Sequence, residues 1–496
     1  MKKRILSICA LLLCAVLITA ATGCDAHTHT YRQTVIPPTC NSIGYTVNTC
    51  ACGETYYSDH TPETAHTFSE WIADLEPTLI AGGEEYRTCS SCGILQRREV
   101  ENLSALPELY LEGTADGKET VSLRYVAGED ATVVCNALVK QRTDPNGGKH
   151  LYDLQLITEG TGNAYSADLG WGEQDRYLLS PQALDPTYTR TTAAQTLWNT
   201  CLARRIGGQT PEWEATSLDT YIRTNTSVVV QLYRNGSYLG LYLLSLPRNA
   251  RIGMGNSKSA ALRAEDESDG CLFLDTPTYA EGASAKGFSF LERSDANTTW
   301  ITDNFDAFSE FIRRSPDSVF IEGLSQYTDP EVLIDYYLLL QFFGAPRGDT
   351  VGTVWYTTDL YHWLPTFDDY QVSFGLKADG SLMEDPAEGI PVPNEDGTVS
   401  YTGQNQLWER LLQLFPTQIS ERYRALKQTV LHPDTLFDAF LAQYGQIEPG
   451  LFELESALSP APEGTEDTEK IQAFLQDRLK AMDRWVQALT FVPEAP

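Results

Sequence analysis

The hydrophobic pattern changes period along the chain. From Leu106 to Ile157 it alternates or runs apolar at strand length, as LPELYLEG, ETVSLRYVA, ATVVCNALVKQR and HLYDLQLI, with Gly, Asp and Asn between the runs. DPNGG at Asp144–Gly148 predicts a turn. TYTRTTAAQTLWNTCLARRIGG then predicts an amphipathic helix over Thr187–Ile206, started by Asp185-Pro186 and stopped by Gly207-Gly208. TSVVVQLYRNGSYLGLYLLS predicts a hairpin with a type I′ turn at Asn235-Gly236. Residues 247–305 are polar and loop-like, with one short strand, CLFLDT, at Cys271. Residues 306–345 read as helical. Within them IDYYLLLQFFG is too continuously apolar for a surface helix and predicts a buried one. VGTVWYTTD and WLPTFDDYQVSFG predict a hairpin flanked by two acidic loops, one carrying Asp349 and the other Asp368 and Asp369. Residues 376–405 read as a loop beside these acids. Helical spacing returns over 406–492, broken once by SPAPEGTEDTE at 459–469. The class is α+β, with a strand-rich N-terminal part and a helical C-terminal part.

Composition sharpens this in two places. The chain has 496 residues, 42% of them hydrophobic, enough for a large core and more than one domain. Lys and Arg number 36 against 67 Asp and Glu, a net charge of −31, which argues against a nucleic-acid partner because phosphate backbones need a basic footprint. Residues 1–24 read as a leader. Lys2, Lys3 and Arg4 precede an apolar stretch from Ile5 to Ala20, followed by Ala21-Thr22-Gly23-Cys24. Small residues before a cysteine resemble a bacterial lipobox. The expectation is cleavage before Cys24, lipidation of its thiol, and a protein held by acyl chains on the extracellular face of the membrane.

Residues 25–104 hold two copies of a short Cys/His unit, starting at His29 and His66. The units look like Cys/His repeats of bacterial surface proteins. The first copy offers His29, Cys40, Cys50 and Cys52, a set of four suited to tetrahedral structural zinc. The second offers His66, Cys89 and Cys92, with Leu79 where the first copy has Cys40, so it reads as a decayed site. Disulfides are the competing reading. Bridges as tight as Cys50–Cys52 or Cys89–Cys92 would be strained. Cys135, Cys201 and Cys271 are scattered singly and read as buried small hydrophobes.

Several segments together resemble the spore coat protein H (CotH) kinase family. LYRNGSYLGLYLL resembles the family's Asn-Gly-x-Tyr-x-Gly-x-Tyr-x-Leu hairpin. KQRTDPNGGKHLYDLQL resembles its Arg-Gly…Lys-x-x-Tyr-x-Leu strand pair, and RYLLSPQALDPTYTRTTAAQTL its Asp-x-x-x-x-Arg helix start. IDYYLLLQFFGAPRGD resembles the helix before its catalytic Asp. DYQVSFG resembles its metal loop, and IQAFLQDRLKAMDRWV its closing helix. The resemblance spans Leu106–Leu489 and implies a divergent protein-kinase-like fold acting on surface or secreted proteins with ATP and Mg2+. It places Asp349 as catalytic base, Asp369 and Gln371 at the magnesium, and Arg142, Lys149 and Arg190 at the phosphates.

Four positions depart from the family pattern. Thr353 stands where the family has Asn, Gln371 where it has Asp, Ser245 where it has Glu, and Thr143 where it has Gly. Magnesium is held by anionic and strongly coordinating oxygens. Losing two of them predicts weak or absent catalysis, a pseudokinase, with a structural or adhesive surface protein as the alternative.

Overall fold

The computed structural model describes residues 28–113, 119–128, 131–144, 148–205, 212–247, 258–280, 286–293, 299–344, 350–367, 370–391, 401 and 403–489. The expected leader and Cys24 lie outside these, as do Asp349, Asp368 and Asp369. The chain divides into two compact units, one ending at Leu103 and one beginning at Ser104. Among the described residues no helix is long and apolar enough to cross a membrane.

The first unit is two three-stranded antiparallel meanders, one per repeat. The first comprises β1 (Tyr31–Ile36), β2 (Gly44–Cys50) and β3 (Thr55–Thr61). The second comprises β4 (Ile72–Leu75), β5 (Gly83–Thr88) and β6 (Leu95–Val100). Few of their side chains are buried, and Cys40, Cys50 and Cys89 are among those few.

The second unit begins with a closed barrel of β7 (Glu108–Glu112), β8 (Glu119–Val126), β9 (Thr132–Thr143), β10 (His150–Ile157), β13 (Arg176–Ser180), β14 (Ser227–Arg234) and β15 (Ser237–Ser245). A two-residue ribbon, β11 (Ala167–Asp168) with β12 (Glu173–Gln174), precedes β13. The predicted hairpin forms at Asn235-Gly236. Both residues take positive φ, 48° and 73°, as a type I′ turn requires. The barrel closes by parallel pairing of β14 with β7. Leu109, Leu123, Leu154, Leu179, Leu232 and Leu244 fill it, so it is a packed core and not a pore.

Helix α1 (Thr189–Ala203) and α2 (Glu212–Thr224) connect β13 to β14. α1 is not the amphipathic helix predicted. Its Thr, Arg, Gln and Asn residues are buried with its apolar ones, because the fold surrounds it. The start also shifts to Tyr188, in left-handed backbone (φ 57°), and the N–H of Arg190 is received by the Asp185 carboxylate at 2.8 Å.

A second, five-stranded sheet follows, in the order β17 (Tyr279–Ala280), β18 (Phe288–Arg293), β16 (Ala260–Ala264), β19 (Thr353–Thr357), β20 (Leu364–Phe367). CLFLDT is not a strand. Leu272, Phe273 and Leu274 donate to Ser268, Gly270 and Asp269 carbonyls in tight turns. That conformation drives Phe273 into the rings of Phe288, Phe305 and Trp355. Cys201 and Cys271 are buried as expected, whereas Cys135 is only half-buried.

The remaining helices are α3 (Thr299–Arg314), α4 (Asp317–Gly323), α5 (Pro330–Phe343), α6 (Gln406–Leu414), α7 (Pro416–Lys427), α8 (Pro433–Tyr444), α9 (Pro449–Leu458) and α10 (Thr468–Leu489). α5 is the predicted buried helix. Asp329 caps it, accepting from the N–H of Glu331 and Val332, and every residue from Val332 to Phe343 is buried. Its one buried carboxylate, Asp335, is gripped by Nε and Nη2 of the Arg422 guanidinium from α7. Its last carbonyls find partners elsewhere. Gln341 accepts from Arg478 of α10, and Phe343 accepts the N–H of Phe374 at 2.6 Å. Arg478 also donates to the carbonyls of Pro386 and Glu388, each at 2.7 Å. Burial pulls the Arg478 guanidinium down to about 10, against the lift from Asp385 and Glu388.

Replacing Arg478 by Met removes its charged donors from three carbonyls, the buried one of Gln341 and the part-buried ones of Pro386 and Glu388. Hydrogen bonds to a charged group contribute roughly 1.5–3 kcal/mol each and do not sum fully, so the loss should be about 3 kcal/mol or more. Urea unfolding followed by tryptophan fluorescence should show it. Arg314→Met, which breaks only an exposed Arg314–Glu310 pair, should change stability by less than about 1 kcal/mol. Equal midpoints for the two variants would refute the assignment.

Candidate functional site

Strand pairing brings together the described strands that flank the two acidic segments. Thr353 at the start of β19 pairs with Phe367 at the end of β20. Thr353 and Phe367, the paired residues nearest the two segments, therefore lie at one end of the hairpin. The end of α5 approaches the same place through the Phe374–Phe343 hydrogen bond. Asp349 and Asp369 lie outside the described residues; the described residues beside them are held by specific contacts. Tyr370 is buried, with its hydroxyl 3.0 Å from both Tyr221 Oη and Asn225 Nδ2. Gly375 has φ 81° and stands so close to Phe474 that a Cβ would sit 2.8 Å from that ring. DYQVSFG needs its glycine for both reasons.

Two of the four positions that depart from the family pattern, Thr353 and Gln371, hold internal bonds. Thr353 Oγ1 lies 3.2 Å from the Tyr336 hydroxyl, inside the core. Gln371 is buried, and its amide is assigned with the oxygen towards two backbone N–H groups, because in that orientation it accepts from Leu184 at 2.7 Å and Ala183 at 3.2 Å. Those two bonds use both lone pairs of the carbonyl through which Gln371 would ligate magnesium. Ser245 is buried at the end of β15.

The three basic candidates separate. Arg142, on β9, is exposed and pairs with Asp153 of β10 at 2.8 Å. Lys149, just before β10, has a side chain only 9% exposed. Its ammonium donates to the Glu455 carboxylate of α9, to the Leu241 carbonyl at 2.7 Å and to the Tyr188 hydroxyl at 3.1 Å. An ammonium has three donors, so all are engaged. Glu455 closes the network. One oxygen also receives Tyr188 Oη (2.9 Å), and the other receives the N–H of Leu241 (2.8 Å). Burial lowers the Lys149 pKa, opposed by the Glu455 charge, and raises that of Tyr188 well above its ordinary value. Gly240 lies beneath the pair with φ 103°, and a Cβ there would come within 2.6 Å of Glu455 and 2.8 Å of Lys149.

Arg190 is fully buried in α1. Its Nη1 donates to Asp185 at 2.8 Å and to the Thr465 carbonyl at 2.9 Å. Its Nε and Nη2 have no partner among the described residues. Arg190 also lines a cavity of about 250 Å³ with Phe374, Gly375, Lys470, Phe474 and the carboxylate-bearing Asp477. Of the two buried cations, Lys149 and Arg190, only Arg190 retains donors for an anion among the described residues. The sequence held no sign that Glu455, more than 300 residues downstream, would supply the partner of Lys149.

The Cys/His candidates regroup. His29, Cys50 and Cys52 stand together, with Cys52 Sγ 3.4 Å from His29 Nδ1 and His29 Nε2 2.9 Å from Glu54. Cys40 is not with them. It lies with His66, Cys89 and Cys92 of the second repeat. The meander explains this. Cys40 occupies the β1–β2 turn, whereas His29 and the Cys50–Cys52 turn are at the opposite end of β2. Seven residues of strand separate them by roughly 20 Å.

Lys149 and Glu455 should act as a unit. Lys149→Met leaves a buried carboxylate unpaired and should cost about 3–5 kcal/mol, measured by urea unfolding. Lys149→Met with Glu455→Leu should recover most of that loss. Gly240→Ala, which forces a Cβ into the pair from left-handed backbone, should destabilise by more than about 1 kcal/mol. A double variant no more stable than Lys149→Met would refute the coupling.

No curated protein matches the chain. The family model described as CotH kinase protein matches residues 149–482, from Lys149 of the buried ion pair to Met482 of α10. With that match covering most of the second unit, and the hairpin, the α5 helix and the glycine-anchored loop built as described, the chain belongs to the CotH kinase family.

Proposed function

We propose that this protein is a pseudokinase: a kinase-like CotH fold that binds nucleotide without normal phosphotransfer, carried as a lipoprotein on the extracellular face of a bacterial membrane. The observation that carries this reading is the closed network of Lys149. In protein kinases a strand lysine pairs with a helix glutamate and also reaches the nucleotide phosphates. Lys149 keeps the ion pair with Glu455, but its other donors go to Leu241 and Tyr188. Gln371 adds support, since its carbonyl turns to two backbone N–H groups. Phosphoryl transfer depends on positioning and charge neutralisation, so a spent lysine and a spent metal ligand remove much of both. Arg190, with Nε and Nη2 unpartnered among the described residues and its side chain lining a cavity, is the buried cation left for a phosphate. ATP with Mg2+ is the ligand proposed, and a surface or secreted protein the partner.

The test uses the mature protein released from its lipid. ATP with magnesium or manganese should raise the melting temperature. A ligand at 100 times its Kd adds about 2.7 kcal/mol. The shift should vanish in Asp369→Ala, and no label from γ-labelled ATP should reach the protein or added surface proteins. Label transfer that Asp349→Ala abolishes would establish an active kinase instead. An unchanged melting temperature would favour a structural or adhesive role.

A further inference from the structure

We propose that Cys40, His66, Cys89 and Cys92 hold one Zn2+ and that this ion staples the first Cys/His repeat to the second. The four ligand atoms lie within 4.8 Å of one another. Their spacing is that of a tetrahedron around zinc. With Zn–S bonds of about 2.3 Å, two sulfurs on one ion stand about 3.8 Å apart, and with Zn–N of about 2.05 Å a sulfur and a nitrogen stand about 3.5 Å apart. Cys40 Sγ is 3.8 Å from Cys89 Sγ, and Cys92 Sγ is 3.5 Å from His66 Nδ1. A disulfide needs about 2.05 Å between sulfurs, so the pair is placed for a shared ion. Three thiolates and one imidazole select a soft, tetrahedral cation and leave no open position, which marks a structural site.

The topology says why the set crosses the repeat boundary. β3 runs back to the end of the first meander that carries the Cys40 turn, and His66 follows five residues after it ends. The N–H of Thr64 donates to the Thr39 carbonyl, pinning that linker beside Cys40. From the second repeat, Phe68 forms a bridge with Cys89, and Ser90 donates to the Thr67 carbonyl. His66 and the Cys89–Cys92 turn thus arrive together. Cys40 and Cys89 are both buried, although the strands around them are mostly exposed. So small an apolar core cannot by itself hold the turns together.

The experiment is native alkylation of the full-length mature chain with iodoacetamide, mapped by peptide mass spectrometry, alongside zinc analysis. In the unmodified protein Cys40, Cys89 and Cys92 should resist alkylation and become reactive when a strong chelator removes zinc. In Cys40→Ser, Cys89 and Cys92 should react without chelator, while Cys50 and Cys52 keep their original rates. Losing an outer partner of a zinc ligand already weakens such sites roughly 10–100-fold, so losing a ligand should accelerate alkylation at least that much. Acceleration of Cys50 and Cys52 instead would restore the within-repeat set. Alkylation unaffected by chelator, or a mass two hydrogen atoms low for a Cys40–Cys89 disulfide, would overturn the site. The chelator arm needs no variant, so a misfolded Cys40→Ser would not spare the proposal.

Discussion

Helix α5 has no polar face. Its buried surface must be covered on every side, and everything polar on it must be answered by another element. Asp335 is answered by Arg422 from α7, the Gln341 carbonyl by Arg478 from α10, and the Phe343 carbonyl by the loop N–H of Phe374. Each is a condition for burying the helix, since an unsatisfied buried carbonyl or charge costs more than the bond returns. Together they fix α7, α10 and the Tyr370–Gly375 loop against one rod. The helix that precedes Asp349 and the loop that follows Asp369 are therefore placed by the same few bonds. The family match, ending at Met482 within α10, runs to the helix that supplies Arg478.

The same rule, that buried charge must be paired, decides what the site has left for a ligand. In a chain of net charge −31 three of the inward-facing cations meet carboxylates. Lys149 meets Glu455, Arg422 meets Asp335, and Arg190 meets Asp185. Such pairs fix geometry well but leave little donor capacity for a phosphate. Lys149 has a compact head with three donors and spends them all. Arg190 has five and keeps some, because the planar guanidinium reaches Asp185 and Thr465 from one nitrogen. The difference between a structural and a ligand-binding cation here is a count of donors.

Much of this architecture was legible in local sequence. Asn235-Gly236 fixed its hairpin, the apolar run from Ile334 fixed α5, and helical spacing after Gln406 fixed five helices, because each is set by neighbours a few residues apart. What escaped depends on distant partners. The barrel closes through β7 and β14, parallel strands more than 100 residues apart, and nothing in either strand announces the other. The five-stranded sheet joins β16 to β19 across three helices. α1 read as amphipathic because its Thr, Arg and Gln residues look solvent-facing, yet Asp185 and Gln182 receive Arg190 and Thr191 inside. CLFLDT has strand composition, but its turns serve to bury one ring, Phe273.

The repeats teach the opposite lesson, since there the residues were all visible and the grouping was wrong. Aligning ligands within each copy makes the second copy look decayed at Leu79. In a meander, however, the first turn lies at the end away from the His and the Cys pair of its own copy. Its cysteine therefore serves the copy that follows. Position 40 has such a copy after it, beginning at His66. Position 79 does not, because β6 ends at Val100 and the second unit starts at Ser104. A cysteine at 79 would face no partners, and leucine there loses no ligand set. On this reading Leu79 marks the end of an array whose ligand sets are offset by half a repeat. The three-donor group of His29, Cys50 and Cys52 marks its beginning, where no described preceding turn supplies the fourth ligand.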